Sequence, residues 1–298
     1  IYAGKNLRST LDHLGDGENW ELNRRSNGLL INPPSFDEMT NMRSEILTYY
    51  DSLTHYEYSS TEVVYVENPM TIAKMNIAKA YEEFIDKDYD VMLVYKRTAD
   101  EDKVYGGMNK VILDSSKQFV NVGVNLGTED EFNLYLGRVF LKKEVFMSVV
   151  KESVENANAQ TLLQAIMNNR SRLKIGTYEV QSHVEIIHDT VSYYRANLNL
   201  LNKDVYNELF YKGGMVYTKS KDEPSSLYKE GSKVTNSLVA NGAIIEGQVE
   251  NSIIFRGVRV HKNAVVRNSV LIQKTIVGEN AVLVNTITDK YSEIKPGV

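Results

Sequence analysis

The chain has 298 residues, 34 of them basic and 39 acidic, for a formal charge of −5 at neutral pH. It contains no cysteine, which excludes disulfides, zinc ribbons, iron–sulfur clusters and thiol nucleophiles. The mild acidic excess argues against nucleic acid or an anionic membrane as the main partner.

Length points to about two domains. No stretch approaches the roughly 18 apolar residues of a membrane span, and no basic segment followed by an apolar core opens the chain. A reducing, cytoplasmic compartment is expected. Ile1-Tyr2-Ala3-Gly4 reads like a strand end running into a turn, so the chain is expected to begin inside a fold.

Leu7, Leu11 and Leu14 have helical spacing, with Ser9 or Thr10 as candidate caps. Residues 63–66, Val-Val-Tyr-Val, predict a buried strand. Residues 72–85 carry Ile72, Met75, Ala78, Ala80, Tyr81 and Phe84 and predict a helix, and residues 91–95 predict another strand. That order suggests a parallel α/β unit with helices covering the sheet. Gly106-Gly107 predicts a turn, residues 133–141 a strand, 142–154 a helix and 192–201 a further helix. Residues 202–233 read as a connector, with Gly213-Gly214, Pro224 and the charged run Lys219-Ser220-Lys221-Asp222-Glu223.

A repeat follows. Asn236-Ser237-Leu238 recurs as Asn251-Ser252-Ile253, Asn268-Ser269-Val270 and Asn285-Thr286-Ile287, in steps of 15, 17 and 17 residues. An apolar residue stands two positions before each Asn: Val234, Val249, Val266 and Leu283. Gly242 and Gly257 stand six positions after the first two. Steps near three hexads are those of hexapeptide-repeat parallel β-helices, with inward β-branched residues stacked and small residues at the corners. The expected organisation is an α/β domain over 1–201, a linker over 202–233 and a β-helix over 234–298.

Candidate chemistry is sparse. Of the histidines His13, His55, His183, His188 and His261, His183 and His188 stand near Glu185 and Asp189. Their spacing of five puts them on one face of neither a helix nor a strand, which disfavours a metal pair. His261, on a coil of the repeat, is a candidate general base of the kind hexapeptide acyltransferases use, or a solvated surface histidine. No G-x-G-x-x-G, phosphate-binding G-x-x-x-x-G-K-[ST] or nucleophile-elbow motif occurs. Arg24 and Arg25 precede Asn27-Gly28 and offer either an anion site or solvated charges.

Three segments carry a family resemblance: Arg8-Ser9-Thr10-Leu11-Asp12-His13-Leu14, Tyr193-Tyr194-Arg195-Ala196-Asn197, and Val249-Glu250-Asn251-Ser252-Ile253-Ile254-Phe255-Arg256-Gly257-Val258. With them the chain resembles the bacterial glucose-1-phosphate adenylyltransferases (ADP-glucose pyrophosphorylases), and within that family the non-catalytic GlgD-type subunits of glycogen synthesis. The resemblance implies a Rossmann-like nucleotidyltransferase domain followed by a left-handed parallel β-helix. For catalytic members it implies transfer of adenylyl from ATP to glucose 1-phosphate. It also implies a Gly-rich loop at the first strand, a Glu-Lys-Pro segment for the sugar phosphate, and two aspartates holding Mg²⁺. A phosphate oxygen attacking a phosphate anion needs its charge neutralised, and the metal does that only if anionic oxygens anchor it.

This sequence departs at each point. The Gly-rich loop would precede Ile1. Asn68, in Glu67-Asn68-Pro69, falls at the first aspartate position, and Ile186 at the second; no Glu-Lys-Pro lies near residues 117–123. A slip of one residue would restore Glu67 and Glu185. The expectation is therefore a pseudoenzyme without Mg²⁺, acting as a regulatory subunit beside a catalytic homologue in a hetero- or homo-oligomer, with a sugar phosphate or nucleotide as effector. Two alternatives stand beside it: an active adenylyltransferase using Glu67 and Glu185, and a β-helix acyltransferase using His261.

Overall fold

The computed structural model describes residues 1–4, 7–24, 28–33, 44–100, 104–212, 214, 216–217 and 222–298. Arg25, Asn27, Gly213 and residues 219–221 lie outside this set. The chain divides into two units. The first holds Ile1–Thr71 and Met75–Ser182; the second takes Ile72–Lys74, His183–Val216 and the chain from 222 onward. Residues 183–201, grouped by sequence with the α/β domain, cluster with the second unit.

In the first unit the elements run α1 (Leu7–Leu14), α2 (Glu45–Asp51), α3 (Leu53–Tyr58), β1 (Val63–Glu67), β2 (Thr71–Ala73), α4 (Ile77–Asp86), β3 (Val91–Ala99), β4 (Asn109–Leu113), β5 (Phe119–Val124), β6 (Glu131–Lys142), α5 (Lys143–Glu155), α6 (Leu162–Asn168) and β7 (Ile175–Glu179). Ser9 and Thr10 sit inside α1 rather than capping it. The helix expected from residue 72 starts at Ile77, because the Asn76 side chain caps it by accepting from the Lys79 amide at 3.0 Å. Residues ahead of the cap form β2, two of whose residues group with the second unit.

The sheet order is β5-β4-β6-β3-β7, with β1 also paired to β6. β1 and β3 do not pair with each other. Both run antiparallel to β6, and β3 is parallel to β7. The strand–helix–strand crossover was expected to give adjacent parallel strands; β6 is inserted between them.

Helices cover both faces. On one, Val91, Leu93, Val139 and Leu141 pack with Ile46 and Tyr49 of α2, Phe146, Val149 and Val150 of α5, and Leu162, Ala165 and Ile166 of α6. Phe146, Val149, Val150 and Ser153 follow one another at i, i+3, i+4 and i+7, the stripe of a helix with one buried face. On the other face Phe84 of α4 meets Phe140 with ring centroids 6.0 Å apart, and Tyr65 meets Phe140 at 4.5 Å. Between Val94 and Tyr95 the β3–β6 register shifts by a bulge that holds Gly137 at φ 66°. A Cβ there would lie 2.8 Å from the Asn68 Cβ, so only glycine fits.

The second unit contains β8 (Val184–Ile186), which pairs with β2, then α7 (Thr190–Asn199) and α8 (Lys203–Asn207). Its parallel β-helix is built of three stacks. Lys233–Thr235, Gln248–Glu250, Val265–Arg267 and Val282–Val284 form one, in continuous parallel register. Val249, Val266 and Leu283 point inward with Ile245, Val260, Val277, Ile254 and Leu271.

The recurring Asn-Ser pair is a corner. Asn236, Asn251, Asn268 and Asn285 hold φ of 43°, 48°, 45° and 52°, the left-handed region that asparagine tolerates better than other side chains. The hydroxyls after them form a ladder. Ser252 N donates to Ser237 Oγ, Ser269 N to Ser252 Oγ and Thr286 N to Ser269 Oγ, each at 3.1 Å. Each Ser hydroxyl donates in turn to the carbonyl two residues back in its own coil. These buried polar groups are thereby satisfied. On one outer face Ile253 and Val270 are buried, and α7 lies against that stack, where the Tyr194 hydroxyl donates to the Asn268 carbonyl.

Candidate functional site

Glu67 ends β1 directly opposite Arg138 of β6. The bulge at Gly137 lets Arg138 turn its guanidinium to Glu67, with Nη2 2.5 Å from Oε1. The same Nη2 donates to the Thr71 carbonyl at 3.1 Å, so one arginine holds both ends of the turn between β1 and β2. Its side chain is 5% exposed and that of Glu67 38%. Tyr65 shares the strand face with Glu67. Burial, and then the Glu67 charge, push its hydroxyl pKa well above the usual tyrosine value, against the opposing pull of Arg138.

Asn68 is occupied by its own turn. Its amide donates to the Gly137 carbonyl at 3.0 Å, its Oδ1 accepts from the Met70 amide at 2.9 Å, and its carbonyl accepts from Thr71 N at 3.2 Å. This is an Asx turn, in which the side-chain oxygen serves the backbone.

Glu185 and Ile186 lie on β8 in the second unit. Glu185 is buried, and one oxygen, Oε1, accepts from both His183 Nε2 at 2.7 Å and Asn199 Nδ2 at 2.6 Å. Burial by itself would raise its pKa. The hydrogen bonds from His183 and Asn199 and the charges of His183 and Arg195 outweigh that, holding it below the usual carboxylate range. Ile186 offers only hydrocarbon.

The remaining candidates are scattered. Arg24 is exposed and 3.8 Å from Glu21, and Arg25 lies outside the described residues. The His188 ring is 3.5 Å from Asp189, whose carboxylate caps α7 through the Ser192 amide at 2.7 Å. His261 sits on a corner of the β-helix near Glu246, whose carboxylate is held by Lys229 at 2.7 Å. Among the described residues no three His, Asp or Glu side chains gather as a metal-holding group, and no helix is long and apolar enough to cross a membrane.

Two features escaped sequence reasoning. Arg138 is a lone charge inside the run Leu134-Tyr135-Leu136-Gly137-Arg138-Val139-Phe140-Leu141, and a glycine beside a charge in an apolar strand was the available signal. The other is a cleft of about 430 Å³ in the first unit, lined by β3, β4, β6 and β7.

Comparison with known proteins gives these features a setting. Residues 224–298 match a family model described as GlmU-like, C-terminal hexapeptide. The chain is 26% identical to the glycogen biosynthesis protein GlgD of Bacillus subtilis, covering 90% of this chain and 68% of that protein. It is 29% identical to GlgD of Geobacillus stearothermophilus, over 89% and 68%. It is 25% identical to the glucose-1-phosphate adenylyltransferase of Clostridium beijerinckii, over 86% and 67%. The chain is thus a relative of the GlgD proteins and the bacterial glucose-1-phosphate adenylyltransferases, and it carries their sort of sequence through both the α/β domain and the hexapeptide β-helix.

Proposed function

We propose that the chain is a non-catalytic or weakly active regulatory subunit of glucose-1-phosphate adenylyltransferase, pairing with a catalytic homologue in ADP-glucose and glycogen synthesis. The names of its relatives support the pathway. The observation that carries the regulatory reading is the ion pair between Glu67 and Arg138.

Magnesium needs oxygen donors with negative charge, and it is held by one or two carboxylates beside substrate phosphates. Here the carboxylate at the end of β1 faces a resident guanidinium 2.5 Å away, which would repel a second cation. The Asn68 oxygen is engaged by Met70, Ile186 has no donor, and Glu185 already accepts twice through one buried oxygen. Neither Glu67 in the first unit nor Glu185 in the second is an uncommitted ligand for Mg²⁺. What supports a subunit role is that the β-helix and the sheet keep their apolar cores while the carboxylates at these positions are each engaged by the chain's own groups. A cytoplasmic hetero-oligomer, with a sugar phosphate or nucleotide as effector, belongs to the same proposal.

The test is co-expression with a catalytic homologue, followed by mass measurement of the complex and assay of ADP-glucose synthesis. The chain alone should show negligible turnover with Mg²⁺ and should change the rate or substrate affinity of the catalytic partner. No co-purification and no kinetic effect would end the proposal. The competing reading, an active enzyme with Glu67 and Glu185 as ligands, requires turnover by the chain alone that is lost in Glu67→Gln.

A further inference from the structure

We propose that the cleft on the first unit's sheet is a binding site for a neutral, polyhydroxylated ligand, a sugar without phosphate. Its volume of about 430 Å³ falls in the range of small-molecule sites. The site needs neither a metal nor a partner subunit, so it is independent of the regulatory reading above.

The lining decides the ligand class by charge. Arg97 is spoken for: its Nε and Nη2 both donate to Glu131 Oε2, at 3.0 and 2.7 Å. Lys110 is likewise held by Glu129 at 2.5 Å. Lys117 is the remaining cation in the lining, against two further carboxylates, Asp114 and Glu179. A phosphate entering here would meet three cations, Arg97, Lys110 and Lys117, against four carboxylates, Asp114, Glu129, Glu131 and Glu179, a local excess of negative charge. A divalent cation has no clustered acid group to bind among the described residues. An apolar ligand would desolvate charged pairs without replacing their hydrogen bonds.

A hydroxyl avoids all three penalties, because it donates and accepts at once. It can donate to a carboxylate lone pair left over from the Arg97–Glu131 or Lys110–Glu129 pair and accept from the cation without breaking the pair. Asn133 adds a fixed amide. Its Nδ2 donates to the Val111 carbonyl at 3.2 Å, which orients the side chain and leaves Oδ1 to accept from a ligand hydroxyl. Glu179, reached by the Tyr95 hydroxyl at a long 3.5 Å, offers two more acceptor sites.

The experiment is saturation-transfer NMR and calorimetry on the full chain with maltotriose, glucose, inorganic phosphate and glucose 1-phosphate. Each is taken to about 20 mM, enough to fill a site with Kd near 1 mM. Maltotriose is expected to bind. Glu131→Ala and Glu179→Ala should each weaken it at least about ten-fold while leaving the melting temperature within a few degrees. Glu250→Ala, on the β-helix, should bind as the parent does. Glucose binding as tightly as maltotriose would still support the site and assign it to a single free ring rather than a chain. Tighter binding of inorganic phosphate or glucose 1-phosphate than of maltotriose would overturn the proposal. So would no sugar binding, or cleft variants that bind as the parent does.

Discussion

Replacing Arg138 by methionine tests how the turn between β1 and β2 is held. The change keeps the unbranched stem and deletes the guanidinium, leaving the Glu67 carboxylate and the Thr71 carbonyl without their donor. Breaking a buried ion pair from one side costs about 3–5 kcal/mol. Glu67 is 38% exposed, so water recovers part of that loss. About 2–3 kcal/mol is expected, counting roughly 1 kcal/mol for the hydrogen bond to Thr71. In a unit of this size that shifts the melting temperature by about 4–12 °C, at roughly 2–4 °C per kcal/mol. The assay is urea denaturation of the parent, Arg138→Met, Glu67→Gln and the double variant. The cycle should return a coupling of about 1–2 kcal/mol, with the double variant more stable than the sum of the singles predicts. A single-variant loss under about 0.5 kcal/mol, or strictly additive effects, would show that the pair is decorative and remove the main support for a cation-occupied site.

Two further outcomes follow from the second unit. Glu185 has a depressed pKa when folded, so its charge adds stability above its unfolded pKa of about 4.3 and loses it as pH falls through the lower folded value. Glu185→Gln should flatten the acid limb of a melting series below about pH 5, and an unchanged limb would contradict the role assigned to the buried hydrogen bonds. At the β-helix corner, Asn268 sits at φ 45°. Asn268→Gly should change stability by under about 0.5 kcal/mol, whereas Asn268→Val should cost about 1–2 kcal/mol or more. Equal effects of the two in thermal melts would mean that the corner does not demand the left-handed conformation.

The β-helix was legible because its signal is local and repeated. Every Asn-Ser pair marks a corner whose reason lies in the pair itself, a left-handed residue followed by a hydroxyl that bonds the next coil. The α/β domain was legible in its long apolar strands and in the stripe of α5, but not in its connections. The β4–β5 hairpin carries Asn109, Lys110, Asn121 and Gly123 among its apolar residues, and nothing in that composition announces an outer strand. Ile72 looks helical from its neighbours, yet β2 exists because of β8, more than a hundred positions away. Glu67 and Glu185 were named as candidates, but their partners Arg138 and Asn199 come from other elements, and pairing across elements leaves no local trace. His183, just ahead of β8, and Glu185 within it stand two apart, which in extended chain turns both side chains the same way. That spacing explains their contact better than the spacing between the two histidines.

The coil steps of 15, 17 and 17 residues have a single structural origin. Between Ile245 and Gln248 the corner is spanned by Glu246-Gly247 alone, where the equivalent corner one coil later uses His261-Lys262-Asn263-Ala264. Gly247 makes the shortcut feasible, since a Cβ there would sit 2.3 Å from the Ala264 carbonyl oxygen. Growth or trimming of this solenoid is therefore confined to its bends and comes in even increments: two residues can leave a bend with every inward side chain still inward, while a single residue gained within a rung would turn that rung inside out.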